Sequence, residues 1–364
     1  MQEKQSTASG ATATDASSSA GAPFREVIWE SPSNIAIVKY WGKHGLQLPR
    51  NPSLSLTLDK SRTRTTVRWR KGNGQMIAFK AGGEASPDFA ARVDNYLSKM
   101  QQELPLLAGL DLQVETSNTF PHSSGIASSA SGMSALALCL CSIAAAHGEL
   151  PEDGPLFRTK AGRLARLGSG SACRSLSGPW MTWGKTEAYN DSTDDHAISV
   201  EEVDPVFQTL RDAILIVDAS RKSITSTVGH AMMMDNPFAP ARYDNARRRM
   251  LEMSATLRNG DTALMVEIAE AEAMELHALM MTSVPSFILL KPATLSLIER
   301  VRGFRNRTSI PVCFTLDAGP NLHLLYPESA EEKVRALIAD ELQPFCAEGR
   351  VIYDQAGEGP QRIA

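Results

Sequence analysis

Cysteine is scarce in this sequence, with 5 in 364 residues, and none of them falls at zinc-site spacing. Cys139, Cys141, Cys173, Cys313 and Cys346 are odd in number and scattered. That pattern argues against a disulfide-stapled secreted scaffold and for free, mostly buried thiols in a reducing, cytoplasmic compartment. A dominant charge sign is missing too: 37 Lys and Arg stand against 41 Asp and Glu, a net charge of −4. Without a basic field, neither nucleic acid nor an anionic membrane is an expected partner. The run Arg247-Arg248-Arg249 is too short to change this and reads as a solvated helix face. No window of about 18 apolar residues stands out, so no membrane span is expected. Residues 1–22 are Ser, Thr, Ala and Gly with few apolar side chains, which makes 1–23 a disordered tail without a signal-type apolar stretch.

What is present is an ordinary globular composition, 43% hydrophobic and 21% charged, long enough for two domains. Strand patterns run over 26–29, 35–40, 53–58, 62–69, 110–116 and 180–183, with 53–58 and 62–69 read as two adjacent antiparallel strands. Helical patterns cover 88–102, 131–147 and 156–167. The buried strand 213–218 opens a second set of elements: helices over 240–258, 261–280 and 291–303, strands over 312–316 and 322–326, and a last helix over 330–342. Strands and helices mix without strict alternation, so the class is α+β, with 24–205 as the N-terminal domain and 206–364 as the C-terminal one.

Residues 119–135 are rich in small side chains and run into an apolar helix. Small residues let backbone N–H groups approach a ligand closely, and a helix N-terminus favours anions. Ser123, Gly125, Ala127, Ser128, Ser129 and Ser131 are therefore the candidate phosphate-binding residues, although no Gly-Lys-Ser/Thr follows as in a Walker A loop. Three other segments carry chemistry. Lys39 and Lys43, beside Tyr40 and Trp41 at a strand end, can reach one anionic ligand. The stretch 168–175 sets Arg174 among Ser169, Ser171 and glycines, a fit for carboxylate or phosphate. Asp317 ends a strand at a tight Asp-Ala-Gly-Pro-Asn turn.

In order along the chain, Asn-Ile-Ala-x-x-Lys-Tyr-Trp-Gly-Lys (34–43), Asn-x-Ser-Leu-Ser (51–55), Phe-Pro-x-x-x-Gly-Ile-Ala-Ser-Ser-Ala (120–130), Gly-Ser-Gly-Ser-Ala-x-Arg-Ser (168–175) and Asp-Ala-Gly-Pro-Asn (317–321) resemble the motifs of the diphosphomevalonate decarboxylase family, in the GHMP small-molecule kinase superfamily. The resemblance runs from about residue 24 to the end. It implies a two-domain GHMP-kinase-like fold, with an N-terminal domain like ribosomal protein S5 domain 2 and a ferredoxin-like C-terminal domain. The implied reaction is ATP-dependent decarboxylation of (R)-5-diphosphomevalonate, with Mg²⁺. The 3-hydroxyl is phosphorylated, loss of that phosphate leaves positive charge at C3, and the carboxylate departs as CO₂.

By the same resemblance Asp317 faces the 3-hydroxyl, Lys39 offsets the charge that develops beside it, and Arg174 clamps the substrate carboxylate. Tyr40, Trp41, Lys43, Ser169, Ser171 and Ser226 contact substrate, and Ser128 holds ATP phosphates or Mg²⁺. Some relatives carry an arginine where Thr227 stands, which bears on the grip on the 5-diphosphate. His277 matches a family histidine for which packing and catalysis both stand open, and the runs Met232–Met234 and Met280–Met281 read as core filler. Relatives are often homodimers. The rival readings are a mevalonate 3-kinase or phosphomevalonate decarboxylase on the same fold, and a ligand sensor without turnover.

Overall fold

The computed structural model describes residues 23–121, 126–220 and 226–364, with Ser226 and Thr227 by backbone alone. The expected tail therefore lies almost wholly outside the described residues. The chain forms two α+β units.

The first is organised by a very long strand, Ser53–Lys71, antiparallel to a second long strand, Arg25–Val38. Two expected strand pairs are thus each a single strand. Residues 53–58 and 62–69 do not pair with one another; they follow one another within Ser53–Lys71. Pro32 and the residues around 59–61 interrupt the apolar alternation, and the ladder absorbs both in one register shift, between the pairs Pro32–Arg62 and Asn34–Thr57. The amides at the second interruption have a distant partner. Asp354 accepts N–H bonds from Asp59 (2.9 Å), Lys60 (2.8 Å), Ser61 (2.7 Å) and Gln355 (2.8 Å).

The long strand has room for two further partners: Trp180–Trp183 pairs with its first residues and Leu110–Asn118 with its second half. Met76–Ala81 adds a parallel edge strand, invisible to apolar patterning because its side chains are mostly outside. Gln361–Arg362 closes the other edge against Trp29 and Glu30.

The helix Ser128–Ala146 lies across this sheet. It starts earlier than the expected 131, and it is apolar on nearly every face because it is buried on nearly every face. By length and composition it is long and apolar enough to cross a membrane, which corrects the reading that no such window exists; 72% of its window is buried inside the protein. The helices Pro87–Glu103 and Pro155–Gly168 complete the layer, each with proline in its first turn, where no intrahelical N–H bond is lost.

The second unit is a four-stranded antiparallel sheet in the order Cys313–Thr315, Leu322–Tyr326, Arg211–Leu215, Val351–Gln355. Helices Ala239–Asn259, Thr262–Met281 and Pro292–Thr308 pack with it. Gly260 ends the first of these in the left-handed region (φ 71°), and Asp261 caps the next by accepting the Leu264 N–H at 3.0 Å. The last expected helix is α-helical only over Glu331–Leu337 and continues as a π turn over Ile338–Leu342.

Apolar residues of both units merge in one core: Ile35, Ile37, Leu54 and Leu56 pack with Ile214, Ile216, Met250 and Met253. Met233 and Met280 are buried as expected, whereas Met234 and Met281 are exposed. The five cysteines are free and buried.

Asp354→Ala leaves buried amides of the long strand without an acceptor. We expect a loss of about 3 kcal/mol, read as a lower denaturant midpoint.

Candidate active site

The strand Arg25–Val38 ends inside the protein, so the residue that follows is carried into the core. Lys39 has a side chain 1% exposed, and its Nζ meets Asp317 Oδ1 at 3.0 Å. Its backbone is held on both sides. The Lys39 N–H donates to Glu272 Oε2 at 2.7 Å, and its carbonyl accepts from Asn51 Nδ2 at 3.0 Å. Burial pulls the Lys39 ammonium below its ordinary pKa; Asp317 and Glu272 oppose that shift and Arg174 adds to it.

Asp317 sits on the turn after Cys313–Thr315, with its side chain 27% exposed toward the open side of the pair. The turn is fixed from several directions. The Gly319 N–H donates to the Asp317 carbonyl at 2.7 Å, and His277 Nε2 meets the same carbonyl at 3.2 Å. Thr294 Oγ1 donates to the Pro320 carbonyl at 2.8 Å. Asn321 accepts the Val217 and Asp218 N–H groups at 2.8 and 2.9 Å and donates to the Asp218 carbonyl at 3.0 Å. His277 itself is buried against the Asp317 backbone.

Arg174 comes from a 3₁₀ turn, Gly170–Ser175, where the sequence reading had only a loop. It is 2% exposed. Its Nη1 donates to Ser53 Oγ and its Nη2 to Asn34 Oδ1 at 3.4 Å, while its Nε–H is buried with no partner among the described residues. Burial pulls this guanidinium below its ordinary value; Cys173, Asp317 and Tyr40 oppose that. Lys39 pairs with Asp317, and Arg174 is close enough to act on both. Two cations thus lie beside Asp317, where a small anionic group would find favourable charge.

Ser169 and Ser171, half-buried, flank Gly170. A Cβ on Gly170 would lie 2.8 Å from the Tyr40 hydroxyl oxygen, so only glycine lets this turn close on Tyr40. The Tyr40 hydroxyl is buried without a partner among the described residues, and its ring packs on Trp183 (4.7 Å) and His230 (4.5 Å). Trp41 is buried beside His230 (4.4 Å) and packs among Met233, Leu276 and Phe287, in the core rather than facing outward. Lys43 lies on a tiny hairpin, with its Nζ donating to Gln47 Oε1 at 2.9 Å.

Ser123 and Gly125 lie outside the described residues, as does the side chain of Ser226. Ala127 is left-handed (φ 41°) and opens the helix at Ser128. Ser128 is half-buried and Ser129 exposed on a first turn that carries no acid. Ser131 is turned inward instead: it is fully buried, its hydroxyl 2.6 Å from Thr63 Oγ1. Among the described residues no group of three or more His, Cys, Asp or Glu side chains could hold a metal ion. A serine hydroxyl and one carboxylate, supplemented by phosphate oxygens, nevertheless suit Mg²⁺, which keeps much of its own water.

Sequence reasoning did not single out Asn34, Asn51, Ser53, His230 and Glu272. Asn34, Asn51 and Ser53 lie inside quoted motifs, which was the available signal. Glu272 sits in a helix dotted with other glutamates and looks solvated in sequence. Arg249 looked solvated as well; it is buried against Glu272 (3.1 Å) and Glu275 (2.6 Å), which corrects the reading of the 247–249 run, whereas Arg247 and Arg248 are exposed as expected.

A glycine- and serine-rich helix N-terminus in one unit, with a catalytic-type Lys–Asp pair joining it to the other, defines a small-molecule kinase of the GHMP type. The profile of the "Diphosphomevalonate decarboxylase-like N-terminal domain" matches residues 31–194, and that of the "Mevalonate 5-diphosphate decarboxylase C-terminal domain" matches residues 213–362. The diphosphomevalonate decarboxylase mvd1 of Aspergillus fumigatus is 32% identical over 86% of this chain and 80% of its own length. Its counterpart in Candida albicans is 28% identical over 92% and 97%. Among solved structures, the mevalonate diphosphate decarboxylase from Enterococcus faecalis matches with a TM-score of 0.80 at 28% identity, covering 94% of this chain and 99% of the other. A structure described as MDDEF in complex with MVAPP, AMPPCP and magnesium matches with a TM-score of 0.81 at 28% identity over the same shares. The chain belongs to the diphosphomevalonate decarboxylase family.

His230 Nδ1 accepts the Gly42 N–H at 2.9 Å, so the ring is neutral with its proton on Nε2. Burial, aided by Lys43, pushes His230 down to about 3. The unfolded chain binds this proton near pH 6.5 and the folded chain does not. The contribution of His230 to stability is therefore complete above pH 6.5 and is lost as the pH falls toward 3. We expect His230→Gln to flatten the acid loss of stability over that window by up to about 1.4 kcal/mol per pH unit, measured by denaturant melts at stepped pH.

Proposed function

We propose that this chain converts (R)-5-diphosphomevalonate and ATP to isopentenyl diphosphate, CO₂, ADP and phosphate. The observation that carries the reading is the buried Lys39–Asp317 pair with Arg174 close enough to act on both. On this reading Asp317 orients the 3-hydroxyl and takes its proton as the phosphoryl group is transferred. Lys39, fixed at its N–H, its carbonyl and its ammonium, offsets the charge that develops there without having to move.

Arg174 holds the carboxylate that leaves. Each Nη donates once, to Ser53 and to Asn34, which leaves the second N–H of each Nη and the Nε–H to donate. Tyr40, Lys43, Ser169, Ser171 and Ser226 serve the substrate, and Trp41 supports them from the core side. Ser128 and Ser129 meet ATP phosphates, and Ser128 with Asp317 would hold Mg²⁺, which when bound supplies charge neutralisation on those phosphates. Relatives crystallised with MVAPP, AMPPCP and magnesium support this assignment of ligands. Free buried thiols support a cytoplasmic setting. The family likeness carries the expectation of a homodimer, which light scattering reads directly.

Incubation with ATP and free, 5-phospho- or 5-diphosphomevalonate tests the reaction. CO₂ and ADP in equal amounts from the diphosphate alone are expected. ADP without CO₂ would make the chain a 3-kinase, and CO₂ from the monophosphate would change the substrate. Asp317→Asn should keep nucleotide affinity and lose nearly all turnover, on the order of 10³-fold or more. Arg174→Gln should lose both substrate affinity and rate. Normal turnover by Asp317→Asn would overturn the assigned chemistry.

A further inference from the structure

The hairpin that carries Lys43 is closed by a residue that fits its place poorly. Lys43 and His44 pair with Pro49 and Leu48, and Gly45, Leu46 and Gln47 form the turn between them. Two positions of this turn are left-handed, at φ 48° and 63°; glycine takes the first and Gln47 the second. Glycine or asparagine adopts that conformation readily, whereas a longer side chain is strained in it. The turn itself does not call for glutamine, so the reason lies in what its side chain does. Gln47 Oε1 accepts a hydrogen bond from Lys43 Nζ at 2.9 Å.

The hairpin is fastened at base and tip, which gives that side chain a fixed direction. At the base the Arg50 N–H donates to the Gly42 carbonyl at 3.3 Å and the Gly42 N–H to His230 Nδ1 at 2.9 Å. Arg247 Nη2 donates to the Arg50 carbonyl at 2.8 Å. At the tip the carbonyl of Leu46, the residue before Gln47, accepts from Arg166 Nη1. Arg166 is buried and braced on Asp195, at 2.6 Å to its carbonyl and 2.9 Å to its Oδ1.

The charge of the partner matters as much as its place. Lys39 is matched by Asp317, Arg166 by Asp195, and Arg242 and Arg249 by Glu272 and Glu275. Half-buried Lys43 differs: among the described residues no carboxylate pairs with it, and its acceptor is a neutral amide. Burial draws its ammonium below the ordinary pKa with no acid opposing, and the nearby ring of His230 is neutral as well. A carboxylate at position 47 would bind the ammonium more strongly and cancel its charge. An amide oxygen holds one of its three N–H donors and leaves the charge and the other two donors for a ligand.

Resting on the function proposed above, we propose that Gln47 is a positioning residue for the 5-diphosphate of the substrate: it aims the Lys43 ammonium without neutralising it. With the substrate carboxylate on Arg174 and the 3-hydroxyl on Asp317, the diphosphate is the anionic group left to Lys43. The backbone strain at position 47 is tolerated for a side chain that has the reach of glutamate and none of its charge.

The test is calorimetric binding of (R)-5-diphosphomevalonate, with ATP as the control ligand, to the wild type, Gln47→Glu, Gln47→Gly, Lys43→Met and Lys43→Met/Gln47→Gly, together with thermal melts. Gln47→Glu pairs off the ammonium, so its Kd for 5-diphosphomevalonate should rise at least about tenfold while ATP affinity is kept. Gln47→Gly relieves the strain and frees the lysine. It should melt no lower than the wild type and still bind 5-diphosphomevalonate about three- to tenfold more weakly, a loss of affinity without a loss of stability. In the Lys43→Met background the glycine should add nothing further, because Gln47 acts through Lys43.

Wild-type affinity in Gln47→Glu, a loss in Gln47→Gly that appears only with a lower melting temperature, or the same loss on top of Lys43→Met overturns the proposal. Binding is measured without turnover. A wild type that forms ADP without CO₂ therefore overturns the decarboxylase reading while the affinities still decide the role of Gln47, and a wild type that does not bind 5-diphosphomevalonate overturns both.

Discussion

A single ion pair across 278 positions of chain organises this molecule: Lys39 from the end of the first strand against Asp317 from the turn of the second sheet. A lysine buried to this degree is unfavourable alone, and one carboxylate does not offset its desolvation. The structure surrounds it accordingly. Glu272 and Asn51 fix its backbone, and His277, Thr294 and Asn321 fix the turn that brings Asp317 to it. The shared apolar core built on Ile35, Ile37, Ile214 and Ile216 keeps the two units in the register that this contact requires. The pair thus lies where the two units meet, held there by the apolar core that they share.

Much of the site was legible because its residues lie in short runs whose chemistry is local. Lys39 with Tyr40, Arg174 among serines, and Asp317 before Ala-Gly-Pro each announce a placed functional group. What stayed hidden depends on distance. Glu272 and Arg249 look like solvated helix charges until two helices and a strand end meet around them. Ser131 belongs to the same small-residue run as Ser128, yet Thr63 beneath the helix claims its hydroxyl. The fold was legible in class and in most helices. The joined strands were not, because the amides at 59–61 that break the pattern are satisfied by Asp354, far along the chain.

Charge is distributed with a clear division of labour. The inner cluster of Arg242, Arg249, Glu272 and Glu275 is balanced and closed. The outer set of Lys39, Arg174 and Asp317 holds two cations beside one carboxylate and, among the described residues, a guanidinium N–H without a partner. Balanced charges hold geometry; the unbalanced one awaits an anion.

The edge strand Gln361–Arg362 pairs with Trp29 and Glu30, and the Ala364 carbonyl accepts the Ile28 N–H at 3.0 Å. The edge of strand Arg25–Val38 at residues 28–30 is therefore covered by residues made much later in the chain. During synthesis that edge stays open, with unsatisfied N–H and C=O groups, until 361–364 have emerged. Until then every nascent copy carries an uncovered template for strand addition at residues 28–30. That stage falls within translation itself, where neighbouring chains on one message are close together and a chaperone covering that edge would have its greatest effect.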